Sequence, residues 1–353
     1  MMILALITRP WILLMKHMET IPRTLADDLF LCLTSDCHPA SPDSDMLDTL
    51  TTAVNATLAY IHDMGGKPSP TKSATLASSA EHRKRLRRQK WGRTECSIQV
   101  MHSVRDLGSH LTISGAPTGT TLNRRADKAA TIMDRIRAVP ASTATKGKLI
   151  VGKGYAMGLY GVEATPLNVS ALRKLQGHTA NALTGKHQSM RCPEVVLATS
   201  CKASIEIEAH ILWRRTRMMR RAWHARPAWR PLIQRMLGRI AAAQHDPQGD
   251  DSDDHMESPA PFGPARSLGK RGANILKRGP FGLLLSSVMR AGGTMQPDGS
   301  VRFPGESRID CFQDPIQWVR ATLIEAGTAA AMRRTRTSSR RQSYECCGKI
   351  DFL

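Results

Sequence analysis

The sequence predicts an α+β fold. Short antiparallel strands and helices share the first part of the chain, a mainly α-helical part follows, and a loosely ordered C-terminal segment comes last. Three observations lead there. Residues 24–33, TLADDLFLCL, place two short apolar stretches on either side of Asp27-Asp28, which reads as a strand, a tight acidic turn and a second strand. Apolar residues then recur every three or four positions in several later windows, the mark of amphipathic helices. Over roughly 243–267, aspartates and prolines replace apolar residues, and such a stretch cannot bury enough surface to order itself.

Residues 2–18 carry apolar side chains all around a short helix, so burial on most sides is expected. Arg9-Pro10 interrupts the run, and it is too short to span a bilayer. After the hairpin, Leu47, Leu50, Val54, Leu58 and Ile61 line one face of a second helix. Ser41 or Ser44 can cap it, and Asp43, Asp45 and Asp48 suit its positive end. Gly65-Gly66 stand where a left-handed residue ends a helix. A short strand is expected over 73–78, another over 97–104, and a bend at Leu107-Gly108 leads into one more. Helices follow to about residue 240. Residues 121–139 align Leu122, Ala126, Ala129, Met133 and Ile136; residues 166–184 align Leu167, Leu172, Leu175 and Leu183, with Thr165-Pro166 as cap and first turn. Past the linker, a helix near 314–333 precedes a basic tail, Arg333 to Arg341. The resulting divisions are 1–118, 119–242, the linker 243–267, and 268–353.

The net charge is +20, and it is unevenly placed. Residues 1–80 hold five Lys/Arg and eight Asp/Glu, a net of −3, which leaves +23 for the rest. Such a body suits a polyanion, either nucleic acid or an anionic membrane surface. The eight cysteines form no C-x-x-C, and no paired histidines complete a zinc site. Scattered thiols without a disulfide framework suit a reducing, intracellular compartment. His110, His178 and His187 stand alone and read as structural or exposed. No Ser-His-Asp or Cys-His arrangement is evident, and Val151-Gly152-Lys153-Gly154 is too short for a phosphate loop.

Paired carboxylates at a turn supply hard oxygen ligands for Mg²⁺, though Asp is also common in ordinary turns. The order of features decides between these readings. LADDLFL resembles the Y/F-x-D-D hairpin of reverse transcriptases. Gly65-Gly66-Lys67-Pro68-Ser69-Pro70-Thr71-Lys72 is similar to the glycine and lysine turn that follows the catalytic hairpin in that family. Val104 to Leu111 looks like its Leu-Gly primer grip, and Tyr160-Gly161-Val162-Glu163 resembles the Y-G-x-E segment in the thumb of non-LTR (LINE-like) retrotransposon enzymes. The resemblance covers roughly residues 5–240 and implies a partial polymerase palm followed by a helical thumb.

The same resemblance implies an RNA-directed DNA polymerase acting on an RNA template and a DNA primer. Asp27 and Asp28 would hold Mg²⁺ for two-metal nucleotidyl transfer, Lys72 would assist the leaving group, and Leu107 and Gly108 would position the primer end. Two departures limit it. Leu25 stands where the family has Tyr or Phe. The family's third aspartate lies on an earlier strand, whereas Glu19 is the sole acidic residue among the 26 preceding Asp27. The chain is therefore expected to begin inside the palm and to be inactive alone. The alternative is a non-catalytic, basic nucleic-acid-binding protein derived from a retroelement.

Two basic stretches offer contacts to nucleic acid. Arg83, Lys84, Arg85, Arg87, Arg88 and Lys90 form a run that suits phosphates, a nuclear import signal or a solvated segment. Arg214, Arg215, Arg217, Arg220 and Arg221 are interleaved with Trp213, Trp223 and Trp229. The tryptophans are expected to pack inward, leaving the arginines as the nucleic-acid face. Neither a membrane nor a disulfide partner is expected.

Overall fold

The computed structural model describes residues 2–25, 28–33, 43–69, 71–92, 95–106, 109–112, 119–185, 192–200, 205–245, 279–305 and 308–336. Helices and small sheets share the chain, so the fold is α+β. It divides into two units, Met1–Val104 and Arg105–Leu353.

The first unit is organised around one helix. α1 (Met2–His17) leads into the antiparallel hairpin of β1 (Ile21–Leu25) and β2 (Asp28–Cys32), then α2 (Asp43–Asp63) follows. One face of α2 presents Ala53, Ala56 and Tyr60 to Trp11 and Met15 of α1 and to Leu29 and Leu31 of the hairpin. Trp11 Nε1 donates to Thr57 Oγ1 at 2.9 Å, which satisfies both polar atoms inside this small core. The face predicted from periodicity, Leu47, Leu50, Val54 and Leu58, packs on Leu86 and Trp91 instead. Leu86 belongs to α3 (Ala80–Arg88), capped by Ser79, whose Oγ accepts from the amides of Glu81 and His82. Strands β3 (Ala74–Thr75) and β4 (Gln99–Val100) pair in parallel, shorter than the strands expected there. β5 (Ser103–Asp106) and β6 (Ser109–Thr112) come next.

The second unit has two cores joined through α9 (Ile207–Ala225). The first gathers α4 (Thr120–Ala138), α7 (Val169–Thr184), α8 (Pro193–Thr199) and the start of α9 around Met133, Leu159, Leu175 and Ile207. α5 (Thr143–Leu149) and α6 (Ala156–Gly158) are joined by the π-helical turn Ile150–Tyr155. A Cβ on Gly154 would sit 2.2 Å from Met133 Cε, and one on Gly158 would sit 2.6 Å from Ala129 Cβ. These two glycines let the chain approach α4. The second core joins Leu212, Met219 and Trp223 of α9 to α10 (Arg230–His245), α11 (Gly279–Arg290), α12 (Ile316–Arg336) and the antiparallel sheet β7 (Thr294–Met295), β8 (Ser300–Arg302), β9 (Ile309–Asp310).

Several expectations are altered. Described residues from 279–336 share a core with α9 and α10. The linker beyond His245 and the tail beyond Arg336 lie outside the described residues. α7 begins at Val169, and Asn168 Oδ1 caps it by accepting from the Val169 amide, so Thr165-Pro166 precedes the helix. α1 runs unbroken through Pro10, and among its described side chains Trp11 and Met15 are buried while Leu13 is 58% exposed and Leu14 41%.

α1 and α2 end in the same hydrogen-bond pattern. Gly65 takes a φ of 76° after α2, with Gly66 N bonded to Ile61 O and Gly65 N to His62 O. After α1 the equivalent residue is Glu19, at a φ of 55°, with Thr20 N bonded to Met15 O and Glu19 N to Lys16 O. A left-handed conformation is costly for any residue with a Cβ. Replacing Glu19→Gly should therefore raise stability by about 0.5–1 kcal/mol. The shift in a urea unfolding midpoint, with an unchanged slope, reads this out; a lowered midpoint would contradict it.

Candidate functional site

The hairpin register pairs Leu25 with Asp28 and Ile21 with Cys32. Ala26 and Asp27 stand between the paired positions in the sequence and lie outside the described residues. Asp28 is the first residue of β2. The expected pair of strands is present, and Leu29 and Leu31 of the second are anchored on the α1–α2 core. Carboxylates are suitable donors for Mg²⁺, but two residues supply only part of its six-oxygen shell. Among the described residues no cluster of three or more His, Cys, Asp or Glu side chains forms a metal site.

Lys72 is exposed on the turn after α2, where Ser73 N and Oγ both bond Ser69 O. Leu107 and Gly108 lie outside the described residues. The basic run is now given a conformation, since Arg83 to Arg88 sit on α3. Arg83 turns back to its own N-terminus and donates from Nη1 to the carbonyls of Ala77 and Ser78, at 2.7 and 2.6 Å. Lys90 Nζ reaches Ser97 Oγ at 3.1 Å. Lys84, Arg85, Arg87 and Arg88 are exposed, because Leu86 alone of this stretch faces the core.

On α9 the five arginines divide by helix face. Arg217 and Arg221 are exposed. Arg220 Nη1 donates to Cys311 O at 3.1 Å. Arg214 Nε donates to Glu163 Oε1 at 2.8 Å. Arg215 is 7% exposed and lies between Leu212 and Met219 on the buried stripe. Its Nε bonds Val162 O at 3.0 Å; its Nη1 bonds Leu283 O at 2.9 Å and Ser287 Oγ at 2.6 Å. Arg214 and Arg215 therefore serve the fold rather than an outer face: together they grip the turn Tyr160 to Glu163. That turn is closed by Gly161, at a φ of 93°, whose amide bonds Glu163 Oε2 at 3.1 Å. Burial and the neighbouring Arg290 push the Arg215 pKa down to about 9, against the pull of Glu163 and Glu208, so the guanidinium stays charged at neutral pH.

The tryptophans divide as well. Trp213 and Trp223 are buried, and Trp223 stacks on Phe312 at 4.7 Å. Trp229 is 46% exposed, contrary to the inward packing expected for it. Pro227 lacks an amide proton, α9 stops at Ala225, and a 3₁₀ turn carries Trp229 off the buried stripe. His178 Nδ1 lies 3.1 Å from Asp134 Oδ1, linking α7 to α4. Burial raises the thiols of Cys192 and Cys311 to about 11 and about 12, so neither is a thiolate nucleophile at neutral pH. No disulfide joins the described cysteines, and no described helix is long and apolar enough to cross a membrane.

Sequence reasoning passed over two glutamates at the start of α9. Glu208 is bonded by both Arg290 and Arg334. Glu206 is fully buried at the helix N-cap, where its Oε2 accepts from the Ala209 amide at 2.7 Å. No protein-family model, curated protein or solved structure matches the chain.

Burial, and then the charge of Glu208, lift the Glu206 carboxyl from 4.5 to about 7. Between those two values the unfolded chain has lost this proton and the folded chain keeps it. Stability from this group is therefore full below about 4.5 and falls as pH rises towards about 7, above which both states are ionised. Glu206→Gln keeps a capping oxygen and removes the titration. On moving from pH 5 to pH 8, the wild type should lose unfolding free energy relative to the variant. Parallel pH profiles from urea denaturation would contradict this.

Proposed function

We propose that the chain is the C-terminal palm and thumb portion of an RNA-directed DNA polymerase related to the reverse transcriptases of non-LTR retrotransposons. The observation that carries this reading is the β1–β2 hairpin. Its strands are paired up to Leu25 and Asp28, the residues that flank Ala26-Asp27 in the sequence, and Leu29 and Leu31 of β2 pack on α1 and α2. That is the local form the resemblance requires of a catalytic hairpin. In an intact enzyme Asp27 and Asp28 would bind Mg²⁺, which when bound stabilises charge on the attacking and leaving oxygens of phosphoryl transfer. Lys72 would donate a proton to the leaving pyrophosphate. Leu107 and Gly108 would meet the primer end, where a glycine permits close backbone approach. Arg217, Arg221 and the exposed cations of α3 would contact the template–primer backbone.

The 353-residue chain brings two of the three carboxylates the family uses, with Glu19 the sole acidic residue before Asp27. In a primer-extension assay with Mg²⁺ or Mn²⁺ it should add no nucleotides. Processive extension that Asp28→Asn abolishes would overturn this.

A second reading is a retroelement-derived protein that binds nucleic acid without catalysis. The exposed Lys84, Arg85, Arg87 and Arg88 on one short helix favour it. Both readings predict salt-dependent binding to an RNA–DNA duplex, since neutralised phosphates release counterions. Replacing those four residues with Gln should reduce the slope of log K against log salt by about 3–4. An unchanged slope would remove α3 from the interface. An upstream coding segment, in frame, with a lone aspartate on a predicted strand would favour the polymerase over the second reading.

A further inference from the structure

The second unit has a cleft whose lining includes none of the exposed cations discussed above. It is lined by Arg215 and Glu208 of α9, Ser286 and Arg290 of α11, and Arg334 of α12, with Leu167 and Leu172 on its apolar side. About 570 Å³ of empty space, open solvent included, lies between them.

Positive charge exceeds negative charge here. Arg290 and Arg334 both bond Glu208, the single carboxylate lining the cleft among the described residues. Arg215 bonds two carbonyls and a hydroxyl, none of which carries a charge. Its remaining nitrogen, Nη2, makes no hydrogen bond with the described residues. Of the acids nearby, Glu163 is held by Arg214, and Glu206 turns an oxygen to the Ala209 amide at the N-cap of α9. Among the residues lining the cleft, three guanidiniums stand against one carboxylate, and one of the three, Arg215, is 7% exposed. Arg215 is the buried one of the three, with the Arg334 side chain 27% and the Arg290 side chain 44% exposed, so an anion entering the cleft would offset the charge at Arg215. Arginine forks bind carboxylate and phosphate oxygens. Of the two anions, a phosphomonoester matches the surplus better: it carries about −1.5 to −2 at neutral pH and offers three acceptor oxygens.

We propose that this cleft binds a phosphomonoester, with the phosphate held by Arg215, Arg290 and Arg334 beside the Ser286 hydroxyl, and its apolar substituent on Leu167 and Leu172. The site does not depend on the polymerase reading, since none of its residues belongs to the hairpin or to α3. The phosphate arrives either on a free small ester or on the phosphorylated end of a nucleic-acid strand.

The test uses the full chain at constant ionic strength, with phenyl phosphate and inorganic phosphate as probes. Phenyl phosphate should bind with one-to-one saturation and more tightly than inorganic phosphate. At ten times its Kd it should raise Tm by about 3 °C. Arg290→Gln should weaken binding roughly tenfold, as loss of a charge-assisted hydrogen bond does, and Ser286→Ala should weaken it less. Arg320→Gln, an equal charge change at an exposed position of α12, should leave binding as it was. Circular dichroism confirms that each variant is folded. The absence of saturable binding, or an equal loss in Arg290→Gln and Arg320→Gln, overturns the proposal. A 5′-phosphorylated hexanucleotide that binds more tightly than its 5′-hydroxyl form, with the gain lost in Arg290→Gln, assigns the phosphate to strand ends. Equal binding of the two assigns it to a free ester.

Discussion

Arg215 places a positive charge in the middle of α9, and the second unit is built around satisfying it. Its partners come from the turn at Val162 and from Leu283 and Ser287 of α11. A single side chain thus ties together segments separated by 53 to 72 positions in the chain. A buried guanidinium is not intrinsically a good investment for stability, since an apolar residue of similar size is often as favourable. Its value is directional: only one arrangement of α9, α11 and the Tyr160 to Glu163 turn lets the donors meet their acceptors. Removing those acceptors would leave an uncompensated charge, so the arrangement is specific as well as costly to disturb.

Much of this architecture was legible in the sequence, in places where periodicity and burial coincide. α4 buries the stripe of Leu122, Ala126, Ala129, Met133 and Ile136 that its spacing predicts. The acidic hairpin and the glycine end of α2 were visible for the same reason, because their signals are local. What was hidden depends on partners distant in sequence. Ala53, Ala56 and Thr57 look like the weak face of α2, yet they form the contact with α1 and the hairpin. Small residues and a threonine carry little hydrophobic signal, although they permit close packing. Arg215 was grouped with its neighbours as a phosphate ligand because composition does not separate the faces of a helix. Its spacing from Leu212 and Met219, three and four positions, was the available clue.

The candidate site was legible to a different degree. The carboxylate pair, Lys72 and the basic run stood out by residue type. The cleft of Arg215, Arg290 and Arg334 draws on α9, α11 and α12, and no motif joins positions so far apart. The glutamates that shape its charge were invisible for a related reason. Glu206 and Glu208 read as ordinary acids in the first turn of a helix, where the dipole favours them, and burial alone gives them different roles.

α2 separates two small cores, with the hairpin and α1 on one side and α3 and Trp91 on the other. Neither core is large enough to be independent of the helix they share. Thermodynamic linkage follows from that shared wall. Any ligand that favours the folded form of α3 also favours an ordered α2, and hence the support behind the β1–β2 hairpin. Order in the hairpin and order in α3 are thereby coupled through α2, and a ligand that favours either one favours the other.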